Sequence, residues 1–406
     1  MSDDPKTGNK GFVLEEVLRA YFLRAGFFVI RGAPYVMYDE EITDIDLWLY
    51  ERSSSAARRC QIVDIKYKNK PKAMERLLWT KGLMETLDIH GAYVATTDRR
   101  GTVRRIANKL NINLLDGNDL QRIKESGKVL FEDRITEEML LAEIRKLDKQ
   151  RQTKELQNEL YDLRSFAVVG VGANALVRCL ESFSLFTRKA IESHPNSDAA
   201  RIYARMSYLS ASFIAINLDY IGADASFRTN EERREIFINA IRYGNQDHND
   251  GWRDIYVACN LIRRYIDNGS AIAARLDRTI TQEFEKIPAE IIADQVQKFG
   301  KGDGLFHVAR SLEAHAYNVI CPNFDNIDIS LKTFMGALLD YCSIDRTAFA
   351  LAWIRPQITS PKSPDRQSDH DEHGDAQSFL QQKKSNVGFA PQDLFLNDTS
   401  PEKPNP

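Results

Sequence analysis

Four residues near the start of the chain combine charge and spacing in a way that could do chemistry: Glu15, Asp46, Asp64 and Lys66. Asp64 and Lys66 stand two apart in Gln-Ile-Val-Asp-Ile-Lys-Tyr-Lys, residues 61–68, which reads as a β-strand. Side chains alternate faces along a strand, so a carboxylate and an ammonium share one face while Ile65 takes the other. Asp46 lies in a second strand-like run from Ile42 to Tyr50, rich in Ile, Leu, Trp and Tyr. Between the runs, Glu51 to Arg59 holds three serines and no large apolar residue, the composition of a turn. The resulting hairpin can bring Asp46 alongside Asp64. Two carboxylates suit a hard divalent cation such as Mg²⁺, with Mn²⁺ able to substitute, which takes oxygen ligands plus waters and phosphate oxygens. The lysine could orient or help deprotonate an attacking water and stabilise charge building on a phosphate. These are the parts of metal-assisted phosphodiester cleavage.

Two neighbours compete with the favoured residues. On a helix, Leu14, Val17, Leu18, Tyr21, Phe22 and Ala25 form the apolar stripe, which sets Glu15 on its border and Glu16 further round, as a surface residue. Asp44 shares a strand face with Asp46 and reads as a supporting group or as a polar residue at the strand entrance.

The elements that must position this set follow in order: helix 11–25, strand 27–32, the hairpin 42–67, helix 72–87, strand 92–97, helix 101–109 and a short strand at Asn113. The series resembles the PD-(D/E)XK nuclease superfamily, most closely the Mrr-like restriction endonucleases and archaeal-type Holliday-junction resolvases. The resemblance runs from about Gly11 to about Ile123. Gly11-Phe-Val-Leu-Glu15, closed by Gly26-Phe27, is similar to that family's first helix, whose glutamate often completes the metal site. Asp46 in Ile-Asp-Leu resembles the first motif aspartate, and Asp64-Ile65-Lys66 the D/E-x-K element. The trailing strand, helix and strand are matched by Gly91-Ala-Tyr-Val-Ala-Thr-Thr, Arg105-Ile-Ala-Asn-Lys-Leu and Ile112-Asn-Leu-Leu-Asp-Gly. No proline precedes Asp46, a departure that relatives often share. The resemblance implies a DNA-cutting enzyme of restriction, defence against foreign DNA or repair.

Charge distribution bears on the partner. The whole chain carries a formal net charge of −3, which favours no nucleic-acid partner by itself. Residues 52–109, however, hold 14 basic and 5 acidic side chains, a local surface suited to a phosphate backbone. Lys68, Lys70, Lys72, Arg99, Arg100, Arg104 and Arg105 are the candidate contacts. Cys60, Cys179, Cys259, Cys321 and Cys342 lack C-x-x-C spacing, so neither a zinc site nor a disulfide framework is expected. No apolar run approaches the ~20 residues that span a bilayer, and the first residues show no signal-peptide pattern. A soluble, cytoplasmic protein without membrane partners is the expectation.

Beyond Phe131 the pattern is helical. Thr136 caps a helix passing through Leu140, Ile144 and Leu147 and continuing to Arg164, expected as a connector. Further helices are predicted near 172–193, 197–220, 229–244, 251–268, 276–299, 305–318 and 328–353, with Thr229 to Glu232 as a capping box. Gly170-Val171-Gly172 lacks the strand and βαβ unit of a dinucleotide site. Tyr203, Tyr208, Phe213 and Tyr220 read as core, and Trp79 and Lys81 as packing and solvated charge. Seven of thirteen prolines lie from Pro356 onward, so a disordered tail is expected. Within it, Asp369 to His373 reads as a polar tract, and Phe389 with Leu394 to Leu396 as its one apolar cluster.

The expected architecture is an α/β restriction-endonuclease-like domain, a small mixed sheet flanked by helices, followed by an all-α domain and a disordered tail. The boundaries are a flexible 1–10, a nuclease-like 11–128, a connector 131–164, helical 165–355 and tail 356–406. The expected activity is Mg²⁺-dependent DNA endonuclease, with Asp46, Asp64 and Glu15 on the metal and Lys66 beside the nucleophile. The helical part would select substrate, oligomerise the chain or regulate cleavage, and a protein partner could use it or the tail. Rival readings are an RNA-directed nuclease with the same site, a catalytically silent nucleic-acid-binding module, and an interaction scaffold built on the helices.

Overall fold

The computed structural model describes residues 10–38, 40–67, 72–126, 130–299 and 302–354. Helix α1 (Lys10–Arg24) ends at Gly26, whose φ of +100° suits only glycine. The chain then forms β1 (Phe28–Met37), β2 (Glu40–Arg52) and β3 (Arg58–Lys66), an antiparallel series. Helix α2 (Ala73–Thr86) crosses to β4 (Gly91–Thr96), and α3 (Gly101–Lys109) crosses to β5 (Asn113–Leu115). Both crossovers yield parallel pairs, so the sheet is mixed, five-stranded and ordered β1-β2-β3-β4-β5. Asp116 caps α4 (Gly117–Glu125), a helix with no counterpart in the sequence reading.

Alternation divides the sheet cleanly. Leu47, Leu49, Val63, Ile65 and Ala95 pack beneath Leu14, Leu18 and Phe22 of α1 and Leu120 of α4. Trp48, Tyr50, Ile62, Ala92 and Val94 point to the other face, beneath Leu77 and Met84 of α2 and Val103 of α3.

The rest of the described chain is helical: α5 (Glu137–Arg151), α6 (Glu155–Val169), α7 (Ala173–Glu192), α8 (Asp198–Asp224), α9 (Asn230–Tyr243), α10 (His248–Tyr265), α11 (Gly269–Glu285), α12 (Ala289–Lys298), α13 (Gly304–Tyr317), α14 (Ile329–Tyr341) and α15 (Arg346–Ala352). Thr136 caps α5, and Thr229 with Glu232 forms the capping box of α9, which Gly244 closes at φ +65°. Three predicted helices are each broken in two. Gln152 turns left-handed after α5, and the Asp148 carboxylate then accepts the N–H groups of Leu156 and Gln157 at the start of α6. Pro288 separates α11 from α12, and Ser343, at φ +54°, separates α14 from α15. The 137–169 segment is no simple connector, because Leu156, Leu160 and Leu163 are buried in the core that contains the strands.

Sheet and helices share that core, and the described residues fall in one compact unit. Phe28 meets Phe213 edge-on at 5.9 Å, and Tyr50 packs at 5.9 Å from Phe306. The buried Asp219 of α8 accepts the Tyr50 hydroxyl at 2.8 Å and pairs with Arg52 and Arg58 at the far end of the β2–β3 hairpin. Tyr203, Tyr208 and Phe213 are core residues, as their helical spacing suggests, and all five cysteines are buried and free. Among the described residues, no helix is long and apolar enough to cross a membrane. The predicted tail, with Asp369 to His373 and the Phe389 cluster, lies outside the described residues.

Candidate functional site

The antiparallel register pairs Leu47 with Val63 and Trp48 with Ile62, which places Asp46 beside Asp64 on the Trp48 face of the sheet. A direct bond fixes the pair of strands here: the Ile65 N–H donates to Asp46 Oδ2 at 2.6 Å. Lys66, two residues beyond Asp64, shares the same face and is half-buried at the carboxyl end of β3. Gly32 falls opposite Asp46 in the β1–β2 register, at φ +60°, and a side chain there would meet open space. The glycine therefore leaves room beside the aspartate.

Arg76, absent from the residues expected here, supplies the ion pair of the site. From the first turn of α2 it grips Asp64 with both prongs of its guanidinium, Nε to Oδ2 at 2.8 Å and Nη2 to Oδ1. Asp64 is 6% exposed, so this pair is shielded from water on the carboxylate side. Arg76 lies next to the buried stripe of Ala73, Leu77 and Thr80, a polar break at its edge that marks it as the residue to question. Burial pushes the Asp46 carboxyl up to about 6, and the nearby Glu15 carboxylate adds to the rise. The Ile65 N–H, Arg76 and Lys66 act in the opposite direction. Burial therefore outweighs the two nearby cations at Asp46.

Glu15 is near enough to influence Asp46, but α1 lies over the opposite face and Arg31 holds its carboxylate at 2.8 Å. Arg31 also donates to Glu16 at 2.9 Å and to Glu138 of α5 at 2.5 Å. Glu16 is consequently not the surface residue its helical position suggests: it is 7% exposed and part of a buried ion-pair network. Arg19 extends the network to Glu137 at 3.1 Å and Glu313 at 3.0 Å. Arg164 also pairs with Glu137, and Arg134 with Glu313. Among the described residues, no three His, Cys, Asp or Glu side chains are grouped to hold a metal ion, so Glu15 is not brought together with the two aspartates.

Asp44 is exposed but lies within β2, opposite Pro34 of β1, rather than at the strand entrance, and burial of part of its surface raises its pKa.

The expected basic face is partly neutralised from within. Lys68 and Lys70 lie outside the described residues. Lys72 pairs with Glu75 at 2.9 Å, Arg100 with Asp98 at 2.5 Å, and Arg104 with Asp116 and Asp119 at 2.6 and 2.9 Å. Arg99 donates to Gln121 at 2.9 Å, and Arg105 is exposed. Trp79 is 42% exposed and Lys81 pairs with Glu85. Compared with known proteins, the chain matches no family model, no curated protein and no solved structure.

A cleft of about 370 Å³ lies where β3 and β4 end, lined by Tyr67, Thr97, Arg99, Gln121, Lys124 and Glu125 among others. The Lys124 ammonium stands 4.1 Å above the Tyr67 ring, a cationic and aromatic pair that follows directly on Lys66. Lys124 belongs to α4, so no sequence signal singled it out.

The two aspartates carry oxygens of the type a hard cation takes, although both Asp64 oxygens are held by Arg76 and one Asp46 oxygen accepts the Ile65 N–H. A cation there would take two protein carboxylates and complete its shell with water and substrate, with Arg76 as its internal competitor.

Proposed function

We propose that this protein is a divalent-cation-dependent endonuclease that hydrolyses DNA phosphodiester bonds, and that its mixed sheet is a restriction-endonuclease-like scaffold. The observation that carries the reading is the placement of Asp46, Asp64 and Lys66 on one sheet face, with β2 and β3 locked there by the Ile65-to-Asp46 hydrogen bond. Asp46 and Asp64 would hold Mg²⁺ or Mn²⁺, which when bound would polarise the phosphate and lower the pKa of a bound water. Lys66 would orient that water and meet charge developing on the phosphate. Glu15, held by Arg31, would act on the site through its field on Asp46.

Substrate would approach the carboxyl ends of β3 and β4, the end of a parallel segment where side chains from successive loops converge. Arg99 and Lys124 line the cleft at these strand ends, on the α1–α4 side of the sheet, and exposed Arg105 stands on α3, which covers the aspartate side. DNA is favoured over RNA on the resemblance alone, and a role in restriction, defence or repair follows from the same source.

One observation favours a second reading. Arg76 already satisfies Asp64, as would suit a catalytically silent module that docks nucleic acid through its cleft. Incubating the purified chain with plasmid, single-stranded DNA and RNA, in Mg²⁺, Mn²⁺ or EDTA, separates the two. Cation-dependent cutting that Asp64→Ala eliminates supports the nuclease, and binding without cutting under every condition supports the silent module.

A further inference from the structure

We propose that the protein self-associates through the outer face of α10, with α10 of a second copy lying antiparallel across it. Helices α10 and α11 are joined by three residues, so they run antiparallel and pack on one another. Their approach is close: a Cβ on Gly269 would stand 2.1 Å from the Ile262 carbonyl oxygen. At the base, Tyr243 of α9 packs against Trp252 and Phe284, with ring centroids 5.8 and 5.1 Å away. Away from that base the described side chains of the pair are largely solvent-exposed, and among them Cys259, Gly269 and Ala273 are buried.

The pattern along α10 is amphipathic twice over. Cys259 Sγ donates to the Ala273 carbonyl of α11, and Ile255 and Ile262 lie within about 60° of Cys259 around the helix. At about 100° per residue, Leu261 lies some 200° round the helix from Cys259, on the opposite side. There it continues an i, i+4, i+8 row of Val257, Leu261 and Tyr265, which are 49%, 54% and 74% exposed. Single exposed apolar residues are ordinary, but three large ones in register on one helix face form the seam of a helix pair.

Charge names the occupant. Asp254 and Arg264 border this row towards its two ends, both exposed, and neither has an ion-pair partner among the described residues. When two copies of α10 cross antiparallel about a two-fold axis near Cys259, Asp254 of each copy comes opposite Arg264 of the other. The same axis sets Val257 opposite Leu261. One operation therefore satisfies both the apolar row and the two charges, the self-complementarity an isologous dimer requires. The result is a four-helix arrangement, α11–α10–α10–α11.

Size sets the strength. An 18-residue helix is about 27 Å long and about 10 Å across, so the projected contact is roughly 300 Å² per copy. That is below the ~800 Å² per partner of a standard interface, so the association is a weak one that shows only at high protein concentration.

Sedimentation of the full chain from about 1 to about 200 µM tests this. The expected result is a monomer–dimer equilibrium that Leu261→Glu weakens at least ~10-fold, with unchanged circular dichroism because the side chain is exposed. Asp254→Arg and Arg264→Asp should each weaken association, and the two together in one chain should restore it. A chain that stays monomeric throughout, a dimer indifferent to Leu261→Glu, or a charge swap that fails to restore association would each overturn the proposal. Sedimentation is independent of catalysis, so the result stands apart from the reading of the aspartate site.

Discussion

Replacing Arg76 by alanine tests the aspartate site from two sides at once. The guanidinium is two-pronged on Asp64, whose side chain is 6% exposed against 26% for Arg76. Removing one member of a buried pair costs about 3–5 kcal/mol. Because a quarter of the Arg76 side chain meets water, screening trims that to roughly 1–3 kcal/mol. In EDTA, Arg76→Ala should therefore melt lower than the native chain. A divalent cation tells the opposite story. In the native chain it must displace the guanidinium from Asp64, whereas in the variant it meets an uncompensated carboxylate. Part of the lost stability, about 1–2 kcal/mol, should return as roughly 5- to 30-fold tighter Mn²⁺ binding. Electron paramagnetic resonance of free Mn²⁺ during a titration reads the affinity directly, and thermal melts with and without Mn²⁺ read the stability. Lower stability combined with unchanged or weaker Mn²⁺ binding would show that Arg76 does not compete for the cation position. If neither protein binds Mn²⁺ at millimolar concentration, the cation reading of Asp46 and Asp64 fails with it.

Asp64→Ala and Lys66→Arg should each lower cleavage roughly 10²- to 10³-fold while DNA binding persists, since a planar guanidinium cannot take the ammonium's place; near-native turnover by either would remove that residue from the mechanism. Asp46 is raised from 3.8 to about 6 in the fold, chiefly by burial, so the native state holds its proton more tightly and stability falls as pH rises from about 4 to about 6. Asp46→Asn should accordingly be the more stable protein at pH 7, by at most about 2–3 kcal/mol, with the advantage gone near pH 4. Urea melts across that range showing no pH-dependent difference would contradict the burial of this carboxyl. Arg19→Ala leaves Glu137 and Glu313 with fewer counter-charges and should destabilise the fold by about 3–5 kcal/mol; a loss under 1 kcal/mol in denaturant melts would mean that water replaces the guanidinium. Neutralising Arg99 and Arg105 should flatten the slope of log affinity against log salt by about 1–2, as expected for one or two lost phosphate contacts, and an unchanged slope would place docking elsewhere.

What the sequence determined by itself is what depends on near neighbours. Alternation with period two put Asp64 and Lys66 on one face, and a serine-rich turn between two β-branched runs put Asp46 beside them. Helix ends were equally local: Gly26, Thr136, Thr229 and Gly244 act through their own backbone angles or a hydroxyl three residues from its donor. Pro288 was a local signal too, and the helix drawn through it shows that apolar periodicity can hide a break. Only tertiary structure decided which charges face one another. Arg76 reaches Asp64 from the next helix, Arg31 ties Glu15 to Glu138 of a later helix, and Glu313 answers Arg19 from 294 residues away. Periodicity could place Glu16 on the far side of a helix, but not reveal that Arg31 of β1 would bury it there. The shared core of sheet and helices was beyond local reading for the same reason: an apolar stripe states that a face is buried, and the partner that covers it is chosen by the packing of the whole chain.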